Sequence, residues 1–362
     1  MLIMITNTKV PYCYDVAHVL GLPSSFSHRF RYRTRWVKIP YKIEDIKGQE
    51  GLIVLRNFEK GDFIPMRYVE IEDVLSIGDI HYIEFRLKDY FPTTMRQKAS
   101  ERIKEYLLDN GFENKGGHEL ECLVFESKER LAEDNQGKET EQEHKEWGEI
   151  LKQIGRLDCY KDFSFLKILH IRDSGGGQVN AKKDETGKYS FALEPGRLYF
   201  LDVIQHVPWE IDKGESIETP HDVELKAETD EVIILRKVQR VVGKYDLLRF
   251  IFKTVPGHKT KQTFLEVESK EEKKSPRFWL PALFLPIRIQ PPLWIRLIFG
   301  VKIGLEMLAV GLVIGADPLS RALKIGPDWV RGIGLAMLIL VSQKWDERVL
   351  TFIKEAKEVR IK

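Results

Sequence analysis

Leu297-Ile298-Phe299-Gly300-Val301-Lys302-Ile303-Gly304-Leu305-Glu306-Met307-Leu308-Ala309-Val310-Gly311-Leu312-Val313-Ile314-Gly315-Ala316 decides how this chain is read. Only Lys302 and Glu306 are charged in it. About 20 apolar residues at ~1.5 Å each span the ~30 Å hydrocarbon core of a bilayer. A second apolar stretch, Trp329–Trp345, carries Arg331 and Lys344, and helix breakers at Pro318 and Pro327 separate the two. Upstream, the chain is highly charged and its apolar runs are short. The sequence therefore predicts a mainly β soluble body followed by a C-terminal two-helix transmembrane hairpin.

Tryptophans flank the apolar stretches as an aromatic belt would, with Trp294 before the first, Trp329 before the second and Trp345 closing it. The turn and its rim carry Arg321, Lys324 and Arg331. The approach carries Lys270, Lys273, Lys274, Arg277, Arg288 and Arg296, and the tail Arg348, Lys354, Lys357, Arg360 and Lys362. The positive-inside rule then predicts a cell-membrane protein with two spans and both termini cytoplasmic. Gly300, Gly304, Gly311 and Gly315 share one helical stripe, which lets helices approach closely in lipid, within one chain or in a homo-oligomer. Lys302 and Glu306 lie four residues apart on one helix face. They pair with each other, or they face a pore or another subunit.

The rest divides by composition. Residues 1–126 read as a β-rich domain with one helix, and residues 127–160 as a charged linker ending in a short helix. Residues 161–268 form a β-sandwich domain, 269–296 a hinge and interfacial segment, 297–345 the hairpin and 346–362 a basic tail. Within the first domain, Phe26–Ile39 alternates Arg29, Arg31, Arg33 and Arg35 with Phe30, Tyr32, Thr34 and Trp36, the period of a strand. Leu52–Arg56, Arg67–Val74 and Ile80–Leu87 are further strands, together a small antiparallel barrel-like unit. Met95, Ala99, Ile103 and Leu107 predict a helix over 94–110. In Phe278–Arg296, Pro281, Pro286, Pro291 and Pro292 exclude a regular helix. Trp279, Phe284 and Trp294 with Arg288 and Arg296 suit a headgroup region.

Seven short runs between 163 and 267 suggest a sandwich. Gly187-Lys188-Tyr189-Ser190-Phe191-Ala192-Leu193-Glu194-Pro195-Gly196-Arg197-Leu198-Tyr199 resembles the G-x-Y-x-F-x-L-x-P-G-x-x-Y hairpin of carboxypeptidase-regulatory-like and related Ig-like β-sandwich domains. The likeness covers this hairpin, implies the sandwich and says nothing of function.

Formal charge is +2, so attraction to anions must come from local patches. Arg29, Arg31, Arg33 and Arg35 make such a patch, with Lys38 and Lys42 close by and Arg67 as a further candidate. Planar guanidinium forks suit phosphate, whether on nucleic acid, a nucleotide or anionic membrane lipids. The bland alternative is a solvated face paired with Glu44, Glu59, Glu70 and Glu72. The cysteines, Cys13, Cys122 and Cys159, are scattered and odd in number, which fits a reducing compartment and predicts no metal site. Met1–Ile5 lacks the features of a signal peptide. There is no HExxH, GxSxG, P-loop or dinucleotide fingerprint, the histidines are dispersed, and Gly175-Gly176-Gly177 reads as a hairpin loop. No catalytic residue, no cofactor and no metal are assigned.

In layout the chain resembles the membrane-damaging effectors of prokaryotic antiviral systems, including those that operate beside short Argonautes. No motif carries that likeness, so no site residue follows from it. It implies a non-enzymatic effector whose cytoplasmic β domains sense a ligand or an activating protein partner and whose hairpin permeabilises the membrane. The alternatives are a tethered adaptor for nucleic acid or protein with a passive anchor, and an enzyme with a non-standard site.

Overall fold

A computed structural model describes residues 1–8, 10–57, 61–109, 123–127, 140–157, 160, 163–184, 187–207, 216–243, 245–269, 282–324 and 326–342. It is mainly β, with 46% of the described residues in strands, and has a C-terminal apolar helix. The first strand, β1 (Leu2–Asn7), is buried along its whole length. Such a run, apolar on both faces, belongs in the middle of a sheet. Helix α1 (Val10–Gly21) follows, then β2 (Ser27–Arg33), β3 (Val37–Lys38), β4 (Glu50–Arg56), β5 (Phe63–Ile77), β6 (Ile80–Tyr90), helix α2 (Arg96–Asp109) and β7 (Leu123–Glu126). The strands form one sheet in the order β2-β6-β5-β4-β1-β7-β3. The β1–β4 and β3–β7 pairs are parallel, so the sheet is mixed rather than antiparallel. Its edges do not meet, and the expected barrel is a half-barrel. On α2, Ala99, Ile103 and Leu107 pack on Ile3, Ile5, Leu52 and Val54, the face that their four-residue spacing predicted.

Helix α3 (Thr140–Ile154) begins inside the segment read as a linker, while 128–139 lie outside the described residues. It is not merely solvated: Trp147, Ile150, Leu151 and Ile154 are fully buried. Glu146 accepts from the Thr93 backbone N–H at 2.6 Å and pairs with Arg96 at 3.2 Å. Burial lowers the Arg96 guanidinium to about 10, against the pull of Glu146.

The remaining strands are β8 (Phe165–Asp173), β9 (Gln178–Val179), β10 (Ala181–Lys183), β11 (Tyr189–Leu193), β12 (Leu198–His206), β13 (Ser216–Ala227), β14 (Val232–Arg236), β15 (Val238–Gly243), β16 (Tyr245–Thr254), β17 (Lys261–Ser269) and β18 (Leu283–Ile289). One sheet runs β14-β16-β12-β8-β9, the other β10-β11-β18-β17-β13-β15. The resembled hairpin is present as β11, a turn at Pro195–Gly196 and β12, with Gly196 at φ 73°, a conformation glycine adopts without strain. Its two strands lie in different sheets, so it is a corner rather than a paired hairpin. The glycine run turns β8 into β9, where the Asp173 carboxylate accepts from the N–H groups of Gly175 and Gly177.

One correction concerns the approach to the apolar tail. Leu283–Ile289 is strand β18, seated between β11 and β17 with Leu283, Leu285, Ile287 and Ile289 buried. Period-two burial decides its place, and the prolines that exclude a helix do not prevent it. The described part of the segment read as interfacial therefore belongs to a sheet up to residue 289.

The chain divides into two compact units. The first comprises Met1–Ala192, Leu198–Lys253 and Gln262–Arg288, and the second Leu193–Arg197, Thr254–Lys261 and Ile289–Lys362. Within the first, both β regions knit together: Phe26 packs on Phe191 with ring centroids 5.1 Å apart, and Arg86 donates to the Tyr189 hydroxyl at 3.0 Å. The second holds α4 (Leu293–Ile314), α5 (Ala316–Leu323) and α6 (Pro327–Ser342). The turn between the apolar helices is itself helical, because Pro318 falls in the first turn of α5, where no donor is lost. Helices α4 and α6 lie against each other at Gly334. A Cβ there would stand 2.8 Å from the Ala309 carbonyl and 2.9 Å from Val313 Cγ2.

Arg67 is the best-satisfied charge of the core. It is fully buried, against the sequence expectation that it joins the arginine face. Nε donates to the Lys88 carbonyl at 2.5 Å, Nη1 to the Val19 and Leu22 carbonyls at 2.8 and 2.7 Å, and Nη2 to Ser24 Oγ at 3.0 Å. The guanidinium also lies over the Tyr90 ring, 4.4 Å from its centroid. Stranding a buried polar partner costs about 1–3 kcal/mol. Arg67→Leu strands three carbonyls and is expected to cost about 3 kcal/mol or more. Arg67→Lys should recover less than half, since one ammonium cannot reach all four acceptors. Thermal unfolding followed by circular dichroism measures both.

Candidate functional site

The arginine alternation folds into an edge strand with a buried side and a cationic side. Along β2, Phe30 and Tyr32 are buried while Arg29, Arg31 and Arg33 are exposed. The ladder with β6 ends at the Arg33–Ile80 pair, because β6 begins there. With no partner strand beyond that point, Thr34–Trp36 tightens into a 3-10 turn. The Thr34 N–H donates to the Asp79 carbonyl at 2.8 Å, and its hydroxyl lies 3.1 Å from His81 Nε2. Phe26–Ile39 is thus not one strand, and Arg35 leaves the row.

That turn makes a cleft. Arg31, Arg33 and Arg35 line it together with Tyr12 of α1, Tyr32, Trp36 and Ile80, around a cavity of about 300 Å³. The Arg35 guanidinium stacks on the Trp36 ring, 4.7 Å from its centroid. Tyr32, with its hydroxyl 3.4 Å from the Ile5 carbonyl, contributes its ring.

Charge pairing separates the four arginines. Arg29 holds Glu84 at 2.8 Å, as in the bland reading. Among the described residues no carboxylate lies within 4.0 Å of Arg31, Arg33 or Arg35. The acids that the sequence offers are engaged elsewhere. Glu70 pairs with Arg86 at 2.6 Å and Lys88 at 3.0 Å, which lowers its carboxyl below the usual range. Glu72 accepts from Ser27 at 2.5 Å and Glu44 from Ser76 at 3.1 Å, while Glu59 lies outside the described residues. Arg31 and Arg33, at strand spacing, and Arg35 beside them in the turn repel one another, and an anion in the cleft would relieve that. The cleft can bind a polyanion through forked donors and stack a ring; it holds no acid–base pair.

The residues singled out in the tail stand differently. Lys302 and Glu306 are 3.8 Å apart, so the four-residue spacing pairs them along one helix. Gly300, Gly304 and Gly311 meet nothing within 4 Å of an added Cβ, and Gly315, just past the end of α4, meets only the Gly311 carbonyl of that helix. The stripe therefore does not form the α4–α6 contact, which is made at Gly334 and Ala309. Among the described residues one helix segment, Ile295–Ile314, is long and apolar enough to cross a membrane, with mean hydropathy 2.2 and little of it buried. The described α6 has 16 residues, roughly 24 Å. Trp345, the expected end of a second span, lies outside the described residues.

Two groupings had no sequence signal, because their members are far apart in the chain. His18 and His28 stack at 5.1 Å, and His18 stacks on Phe284 at 6.1 Å. Asp202 is buried beneath His170, Arg172 and Arg249. Burial alone would raise the Asp202 carboxyl, but hydrogen bonds from Arg249 and Arg172 carry it below its usual value. Among the described residues no group of three or more His, Cys, Asp and Glu could hold a metal ion.

Burial, with the neighbouring His28, lowers His18 from 6.5 to about 4. Between those values the unfolded chain binds a proton that the folded chain refuses. Stability is then expected to fall as pH drops from about 6.5 towards 4. His18→Phe keeps the stack and should flatten that acid limb, read as melting temperature against pH. No protein-family model matches the chain, and no curated protein matches it significantly.

Proposed function

We propose that this protein is a membrane-anchored, non-enzymatic effector. Its cytoplasmic β body binds a phosphate-bearing ligand and an activating protein partner, and its apolar hairpin then permeabilises the membrane. The observation that carries the reading is the state of α4. Leu297, Val301, Met307 and Ile314 are all more than half exposed on a helix of membrane-spanning length. Continuous apolar exposure on that scale is untenable in water and natural in lipid. In this reading α6 is the second span, short enough to require local thinning of the bilayer. The Lys302–Glu306 pair lowers the cost of two charges in hydrocarbon. The open glycine stripe faces outward, where a second copy can approach closely. Both termini then lie in the cytoplasm. A role in antiviral defence is part of this proposal and rests on the resemblance in layout alone.

The cleft supplies the ligand side of the proposal. Arg31, Arg33 and Arg35 suit phosphates on anionic lipid headgroups or on nucleic acid. A passive anchor is the second reading, and the internal pairing of Lys302 with Glu306 favours it, since it leaves no charge for a pore.

Dye-loaded vesicles containing anionic lipid test the effector. Full-length protein with its activator should release the dye, and sealed vesicles at full occupancy would refute permeabilisation. Exchanging residues 293–342 for an unrelated two-span anchor separates the readings, because only a passive tether keeps its activity. We also expect Arg31→Glu with Arg33→Glu to weaken binding to anionic vesicles or to single-stranded DNA at least tenfold. The remaining binding should be less sensitive to salt. Arg29→Glu, at a paired site, should change it far less.

A further inference from the structure

The sheet β14-β16-β12-β8-β9 carries a second surface at its β14–β16 edge, made of residues other than those that line the arginine cleft. Along β16, Tyr245, Leu247 and Arg249 point outward while Leu248, Phe250 and Phe252 are buried. The register sets Asp202 opposite Arg249, Ile204 opposite Leu247 and His206 opposite Tyr245. Next to β16, the edge strand β14 exposes Ile233 and Leu235. Ile233, Leu235 and Leu247 are each between 51% and 58% exposed, although neighbouring apolar side chains of the same strands are covered.

Beside this apolar ground stands a cationic group. Asp202, 2% exposed, receives Arg249 Nε at 2.7 Å, Arg249 Nη2 at 3.3 Å, His170 Nε2 at 3.0 Å and Arg172 Nη2. Asp202 is the only carboxylate partner of both guanidiniums among the described residues. Two positive charges thus share one negative charge, and Arg172 Nε is buried without a hydrogen bond. The buried carboxylate orients the forks and leaves a net positive charge facing solvent. A surface that sets exposed aliphatic side chains beside pre-oriented, under-neutralised arginines complements a segment that is apolar and acidic together.

We propose that this face docks a protein partner through an amphipathic segment, with carboxylates placed on Arg172 and Arg249 and apolar side chains on Ile233, Leu235 and Leu247. It gives the partner of the proposed function a place and a chemistry, and it holds whether or not the tail permeabilises membranes.

Fluorescence anisotropy on the full chain in neutral detergent tests it, with no bilayer present. The probes are two labelled decapeptides, one alternating Val and Glu and one alternating Val and Lys. The acidic peptide is expected to bind at least tenfold tighter than the basic one, and more weakly as salt rises. Leu247→Glu and Arg249→Gln should each lower that affinity about tenfold. Leu247 is exposed and Gln keeps a donor to Asp202, so both variants should fold, as an unchanged melting temperature would show. Equal binding of the two peptides, or unchanged affinity in both folded variants, would overturn the proposal. So would sedimentation showing that the wild-type chain dimerises and Leu247→Glu is a monomer, because the face would then belong to a second copy.

Discussion

A guanidinium with no carboxylate partner among the described residues fixes α1 on the first sheet. Arg67 ties the end of α1 to β6 through carbonyl acceptors on both. A buried charge of that kind survives only when its donors are met, and here carbonyl dipoles and the Tyr90 ring do what a carboxylate usually does. What depends on it is the position of α1. That helix brings Tyr12 to the arginine cleft and His18 to the stack with His28 and Phe284. An arginine hidden from solvent thus sets the frame in which three others face it.

The same economy of pairing distinguishes the surfaces. Elsewhere in the body the structural cations keep a carboxylate close: Arg29 with Glu84, Arg86 with Glu70, Arg96 with Glu146. Arg31, Arg33 and Arg35 break the pattern, and so do Arg172 and Arg249, which divide one carboxylate between them. Exposed ion pairs contribute little to stability, so the useful signal is not how many there are but where an expected partner is missing.

Much of the architecture could be read from residue order. Period-two alternation located β2, short runs between turn signals located β6, β12 and β16, the amphipathic run before Pro195–Gly196 located β11, and four-residue spacing located α2. The misses have physical causes. Leu2–Ile5 is a continuous apolar run, so alternation is silent, and only the seat of β1 between β4 and β7 makes it a strand. Arg35 looked like a fourth member of a row, but the ladder that would have kept it there stops at Ile80. Arg67 was indistinguishable from a surface arginine, since its burial depends on carbonyls of α1 more than forty residues away in sequence. The glycine stripe was visible, whereas the glycine that sits in the helix contact, Gly334, was one of several small residues on its helix. Of the cleft, the arginines, Tyr32 and Trp36 were legible; Tyr12 and Ile80 were not, because tertiary packing alone brings them there.

The place of β18 bears on how the chain is made. It lies between β11 and β17 in the six-stranded sheet, although it follows every other described strand in the sequence. Until Leu283–Ile289 leaves the ribosome, that sheet exists as two separate pieces, with the sides of β11 and β17 that face β18 unsatisfied. The apolar helix α4 begins four residues after β18 ends. Closure of the body and delivery of the greasy segment therefore fall within the same moment of synthesis. A nascent chain halted before residue 283 would present two raw sheet edges and no tail, a species suited to chaperones rather than to a membrane.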